Sequence, residues 1–138
     1  MPRPLTPGLA VDVIIELTDR PGRPIVLVRR RHRPAGHAIP GGFVDIGETV
    51  EEAARREARE ETGLDVTLGA LLGVYSDPKR DPRGHTVSLV YLATATGEPV
   101  AGDDAAGILV VNPREVPELA FDHRLILDDY LRQLKFRS

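Results

Sequence analysis

Glu57, Glu60 and Glu61 lie close together in the stretch GGFVDIGETVEEAARREAREETGL, Gly41 to Leu64. If the stretch is helical, the spacing i, i+3, i+4 gathers their three carboxylates on one patch. Like charges that close repel, and partial burial raises their pKa values unless something positive neutralises them. Arg56 or Arg59 could neutralise one. Three carboxylates offering only oxygen suit a hard divalent cation, Mg2+ or Mn2+. Such an ion commonly bridges a few carboxylates to substrate phosphates. Ahead of the patch, Gly41 and Gly42 in PGGFVDIGE let backbone approach a ligand closely. They could supply a carbonyl ligand or phosphate-facing amides. The chemistry indicated is metal-assisted attack at phosphorus.

That chemistry requires a helix turned the right way. Thr49 followed by Glu52 fits a capping box, and Gly63 stands where a left-handed C-terminal residue is wanted. No Gly or Pro interrupts the residues between. With Val50 at zero and about 100° per residue, Ala53 falls near −60°, Ala54 near +40° and Ala58 near +80°. Glu57 then lands at about −20° and Glu61 at about +20°, inside the apolar arc, with Glu60 at its margin near −80°. Arg55, Arg59 and Glu52 occupy the opposite, solvated side.

Strands must frame this helix. LAVDVIIEL (Leu9–Leu17) and PIVLVRR (Pro24–Arg30) are β-branched runs separated by TDRPGR, and together they predict a hairpin. RPAGHAIPGG (33–42) reads as loop, broken by Pro and Gly. Asp65–Asp77, His85–Thr96 and Gly107–Val111 read as further strands, with PKRDPRG (78–84) an exposed loop. Asp122–Leu134 predicts a packing helix with an Asp cap and Ile126, Leu127, Tyr130, Leu131 and Leu134 at helical spacing. The resulting order suggests an α+β fold, a mixed β-sheet between two helices in an α/β/α sandwich.

The bulk composition narrows the function classes. A chain of 138 residues is one domain by the usual prior of about 100–200 residues, read as 1–138. It has no Cys, so neither disulfides nor thiolate metal sites are available. No run of 18 or more apolar residues exists, and MPRPLTPGLA has prolines where a signal segment needs an unbroken apolar run. A cytoplasmic protein with no membrane partner is expected. A net charge of −3 argues against a nucleic-acid partner, although RRRHR (29–33) runs against that average as a solvated strand end or an anion-facing rim.

The charged stretch resembles the Nudix box, G-x5-E-x7-R-E-U-x-E-E-x-G-U with U aliphatic. It is filled over 42–64 by Gly42, Glu48, Arg56, Glu57, Ala58, Glu60, Glu61, Gly63 and Leu64, with only Ala58 smaller than the residue often found there. The resemblance implies a Nudix-like fold and a pyrophosphohydrolase that attacks nucleoside diphosphates linked to another moiety. Glu57, Glu60 and Glu61 would be metal ligands with the Gly41 carbonyl, one of the glutamates acting as base. Gly42, Glu48 and Arg56 would tie loop to helix, Arg56 orienting a ligand carboxylate.

Outside the box, YSDPKRDPRGHTVSLVYLA and LAFDH resemble the small ADP-ribose pyrophosphatases of that family, although Pro78 and Pro82 only bracket the position of a proline those enzymes often carry. The expected reaction splits ADP-ribose into AMP and ribose 5-phosphate. The alternatives are hydrolysis of a free or oxidised nucleoside triphosphate, and a non-catalytic nucleotide-sugar sensor. Arg29, Arg31, Arg83 and His85 are the candidate substrate contacts. Related sequences tend to carry a late glutamate after an acidic pair; here GDDAAGILVV has Gly107 at that place, with Asp103 or Asp104 as substitutes. Family members are often homodimers, which leaves that state open here.

Overall fold

β-Branched and aliphatic residues fill the first strand, β1 (Gly8–Leu17), and nearly every side chain from Ala10 onward is buried. Burial on both faces is what a central strand requires, and it explains the near-continuous apolar run. The computed structural model describes residues 5–137; the reading of the first ten residues therefore falls partly outside the described residues. After β1 come β2 (Ile25–Arg30), β3 (His37–Ala38), β4 (Gly41–Phe43), α1 (Val50–Thr62), β5 (Thr67–Tyr75), β6 (Thr86–Ala95), β7 (Ala105–Val111) and α2 (His123–Arg137).

The strands form one mixed sheet. β1 and β6 run parallel from Gly8 opposite Thr86 to Leu17 opposite Ala95, and β5 lies antiparallel beyond β6. On the other edge β1 is shared. Its end pairs with β2 at Glu16 and Ile25, while its beginning pairs with β4 over Ala10–Asp12. β2 also pairs with β7 and β3. The sheet therefore parts between β2 and β4, and a cavity opens at that split.

The two helices cover opposite faces. Val11, Val13, Ile15 and Leu17 pack with Ala53, Ala54 and Ala58 of α1, whereas Ile14 packs with Ile126, Leu127 and Tyr130 of α2. A fully buried Ile, Leu or aromatic side chain contributes about 1.5–3 kcal/mol, so α2 is held chiefly by its own apolar bulk. α1 presents alanines instead. They contribute less but let the helix come close to the sheet, which brings its carboxylates within reach of the glycine strand β4.

Three expectations are corrected. The 33–42 segment is not all loop, since it contains the short strands β3 and β4. Gly41 serves strand pairing there, because a Cβ would collide with the Val11 carbonyl and the Asp12 carboxylate. The 78–84 loop is not uniformly exposed: Asp81 is buried, and the Arg80 side chain is 5% exposed. Asp122 spends both carboxylate oxygens on Arg80, at 2.7 and 2.9 Å, where a helix cap was expected. Among the described residues no helix is long and apolar enough to cross a membrane.

Candidate active site

α1 begins and ends as its sequence demands. The Thr49 Oγ1 accepts from the Glu52 N–H at 3.1 Å, and Gly63, at φ 71°, donates its N–H to the Arg59 carbonyl at 2.8 Å. Within that frame Arg56 is the hub. Its Nε and Nη2 donate to the two oxygens of Glu48 at 2.6 and 2.9 Å, and Nη2 also reaches the Phe43 carbonyl at 3.0 Å. Its Nη1 donates to Glu57 at 2.8 Å and to Glu60 at 3.2 Å. One guanidinium thus ties the 43–48 loop to two of the three glutamates, and its fork geometry suits bidentate carboxylate binding.

The electrostatics separate these carboxylates. Hydrogen bonds from Arg56, then the Asp45 N–H, pull Glu48 down to about 2. Glu48, and then Glu57, raise Arg56 further above its already high value. Burial pushes Glu57 up, with Arg56 opposing. Burial also pushes Glu61 up to about 8, although the Gly41 N–H donates to it at 3.1 Å; the charges of Glu57 and Asp12 add to the effect. Gly42 makes room for this arrangement, since a Cβ there would lie 2.5–2.7 Å from the Glu57 carboxylate atoms.

A second acidic segment faces the first. Asp103 and Asp104 line one groove with Glu57, Glu60 and Glu61. Gly102 tethers it: its N–H donates to the Glu61 carbonyl at 3.2 Å, and a Cβ would collide with the Glu60 carbonyl. Gly107 lies elsewhere, opposite Arg29 on β2. By donor chemistry the groove fits a hard divalent cation, with oxygen ligands only and five carboxylates against one Arg56. Among the described residues no three of these groups converge on a single ion position. Glu57 and Glu60 face Arg56 and Glu61 faces Gly41, so enclosing an ion requires some of them to turn.

Beside the groove, the split between β2 and β4 opens a cavity of about 170 Å³ whose wall includes Asp12, Arg30, Glu61, Arg83, Phe121 and His123. Asp12 is buried and accepts from Ser88 Oγ, and the His123 Nε2 stands 3.9 Å from it. The His123 Nδ1 accepts from the Ile39 N–H at 3.0 Å, which puts the proton of a neutral ring on Nε2. Burial holds His123 below its usual pKa, against the pull of Asp12. Burial pushes Asp81 up, but the hydrogen bonds and charge of Arg83 outweigh it and the carboxyl ends below its usual range.

Of the residues singled out in the sequence, Gly41, Gly42, Glu48, Arg56, Glu57, Glu60 and Glu61 come together, and Arg83 joins the adjoining cavity. Arg29 and Arg31 do not enter that cavity. They donate to the carbonyls of Ala106 and Ala105, in an adjoining depression that shares Arg30 and Glu61 with the cavity and Asp104 with the acidic groove. His85 is exposed, its Nε2 3.1 Å from the Ser76 carbonyl. Side chains alternate along a strand, and Val28 and Arg30 of β2 line the cavity whereas Arg29 between them does not. That period-two signal was present in VLVRRR but was not used. Asp12, an acid within an apolar strand, was a second unused signal; Arg80, Asp81 and Phe121 gave none strong enough.

The family model of the NUDIX domain matches residues 6–133. An ADP-ribose pyrophosphatase of Methanocaldococcus jannaschii is 49% identical over 93% of this chain and 75% of its own length. A MutT/nudix family protein of Enterococcus faecalis superposes with a TM-score of 0.81 at 27% identity, over 98% of this chain and 65% of that one. A bifunctional NMN adenylyltransferase/ADP ribose pyrophosphatase of Francisella tularensis, in complex with AMP and a Mn ion, gives 0.80 at 27% identity, over 93% of this chain and 42% of that one. The chain thus spans less than two thirds of each of these structures.

Proposed function

The chain belongs to the Nudix hydrolase family, and from that premise we propose that it hydrolyses the diphosphate of ADP-ribose, giving AMP and ribose 5-phosphate. The observation that carries this reading is the half-buried carboxylate cluster of α1, whose negative charge exceeds what Arg56 can balance, beside an arginine-lined cavity. The archaeal ADP-ribose pyrophosphatase, similar over nearly the whole chain, supports this substrate over a nucleoside triphosphate.

Glu57, Glu60 and Glu61 would hold the metal, with Gly41 beside them. When bound there, Mg2+ or Mn2+ supplies positive charge that neutralises the diphosphate oxygens as they accumulate charge. Arg56 fixes where the glutamates point by holding Glu57 and Glu60 from one guanidinium, and Glu48 fixes Arg56. Gly42 leaves the Glu57 carboxylate space against the backbone. Attack of water on one phosphorus places an oxygen on that phosphate, expels the other phosphate and releases a proton to a carboxylate or to solvent. Asp103 and Asp104, tethered by Gly102, bring further carboxylates to the same groove.

The test is a substrate panel with Mg2+ in heavy-oxygen water, with products identified by mass. ADP-ribose is expected to give AMP and ribose 5-phosphate, the label on one of them marking the phosphorus attacked. A protein that binds ADP-ribose with Mg2+ but never turns it over would instead be a sensor.

A further inference from the structure

Two polar side chains of the cavity play no part in the proposed reaction: Asp12, an acid inside the apolar run of β1, and His123, the last residue of LAFDH. Both are buried, at 8% and 3% exposure. The fold fixes one side of each. Asp12 Oδ2 accepts from the Ser88 hydroxyl, and Gly41 leaves room for Oδ1, since a Cβ there would collide with it. The His123 Nδ1 accepts from the Ile39 N–H at 3.0 Å, so Nε2 carries the proton of the neutral ring. Burial favours that neutral form; the charges of Asp12 and Asp122 oppose it, and those of Arg80 and Arg30 assist.

A donor and an acceptor thus face each other in the cavity wall. The His123 Nε2 stands 3.9 Å from Asp12 Oδ1, too far for a hydrogen bond between them. The gap instead suits a single oxygen placed about 2.8–3.0 Å from both. Only an atom that accepts and donates at once satisfies the pair, and that is the property of a hydroxyl. An ionised phosphate oxygen accepts only, and it would meet the Asp12 carboxylate as a like charge. Arg30 and Asp12 act on each other by charge, yet Arg30 donates to the carbonyls of Pro34 and Arg33. The cavity, at about 170 Å³, is small beside the roughly 300–1,000 Å³ of sites that enclose a drug-sized ligand, so it takes one moiety of the substrate.

We propose that Asp12 and His123 form a subsite that takes a sugar hydroxyl of the substrate between them. Asp12 Oδ1 accepts the hydrogen bond of the hydroxyl, His123 Nε2–H donates to its oxygen, and Ser88 and the Ile39 N–H hold the two groups in place. Such a pair selects by what the substrate presents: a sugar is satisfied there and a terminal phosphate is not. The terminal ribose of ADP-ribose and the ribose of its adenosine offer the same chemistry. The inference rests on reading the cavity as the site of a nucleoside diphosphate sugar.

Calorimetric binding of ADP-ribose, ADP and 2′,3′-dideoxy-ADP to the full chain, without divalent metal, tests it. Asp12→Asn turns the acceptor into a second donor. His123→Asn keeps an acceptor for the Ile39 N–H and removes the donor that faces the cavity. In each variant the affinity for ADP-ribose is expected to fall about tenfold relative to that for dideoxy-ADP. ADP then locates the hydroxyl: it follows dideoxy-ADP if the terminal ribose supplies it, and ADP-ribose if the adenosine does. Should one variant fail to fold, the other decides. An unchanged ratio of ADP-ribose to dideoxy-ADP affinity, including an equal loss for all three ligands, marks a merely structural pair and overturns the proposal. A protein that shows the expected shift but does not hydrolyse ADP-ribose with Mg2+ overturns the proposed reaction and leaves the subsite standing. A wild type that binds none of the three, with or without Mg2+, overturns both.

Discussion

On the α1 side of the site one arginine serves three glutamates, while across the cavity two of three arginines hold a carboxylate each. Arg56 reaches Glu48, Glu57 and Glu60, and Glu61, Asp103 and Asp104 add further carboxyl groups to the same groove. Opposite, Arg80 holds Asp122, Arg83 holds Asp81, and Arg30 donates to the carbonyls of Pro34 and Arg33. The helix side lacks cations, whereas the wall side sets its arginines among carboxylates, with Glu61, Asp81 and Asp12 all acting on Arg30. A divalent ion would complete the helix side. The comparison also separates stability from function, because the paired groups hold the site in place and the α1 carboxylates beyond the reach of Arg56 are left for a ligand.

Variants can break the contrast, beginning with the largest effect. Glu61→Gln keeps the shape and removes the carboxyl group that would ionise against a bound cation; turnover is expected to fall at least about 100-fold while the fold, followed by circular dichroism, persists. Gly42→Ala puts a methyl group against the Glu57 carboxylate, and kcat is expected to fall by about tenfold as that ligand is displaced. Arg56→Lys cannot hold Glu48 through two donors and reach the other glutamates as well. A loss of about 1 kcal/mol in urea unfolding is expected, with weaker Mn2+ binding.

A change of pH sharpens the contrast further. Glu61 has a folded pKa of about 8 against an ordinary value of 4.5, so between these values the folded protein holds a proton that the unfolded chain has released. Its contribution to stability is therefore present below 4.5 and is lost as pH rises towards 8, with a slope of at most about 1.4 kcal/mol per unit before solvent screening. Glu48 acts the other way and in another window: its pairing with Arg56 stabilises above 4.5 and is lost as pH falls towards about 2. Thermal melts of the metal-free protein should show the Glu61 slope, and Glu61→Gln should remove it.

The same contrast explains how much was legible in the sequence. The acidic side lies on one helix and the loop before it, so spacing of three and four residues, a capping Thr49 and the terminal Gly63 placed Glu57, Glu60, Glu61 and Arg56 with few assumptions. The inward projection was right for Glu57 and Glu61, which are half-buried, and Glu60 lies exposed at the margin. Thr62, which is fully buried and donates its hydroxyl to the Ala58 carbonyl, escaped notice. The cavity wall is different. Arg30, Arg80, Arg83, Phe121 and His123 come from β2, the 78–84 loop and the start of α2, and no local period relates them. β3 and β4 were missed for a related reason: strands of two and three residues owe their existence to pairing with β2 and β1, not to their own propensity.

The central claim is that the carboxylates of α1 carry charge unmet by the protein and satisfied by a divalent cation. Mn2+ titration followed by electron paramagnetic resonance, on the wild type and on Glu61→Gln at pH 8, tests it most directly. The account predicts saturable Mn2+ binding to the wild type that weakens at least about tenfold in the variant. Equal Mn2+ affinity in the two proteins, or no binding to the wild type, would contradict it.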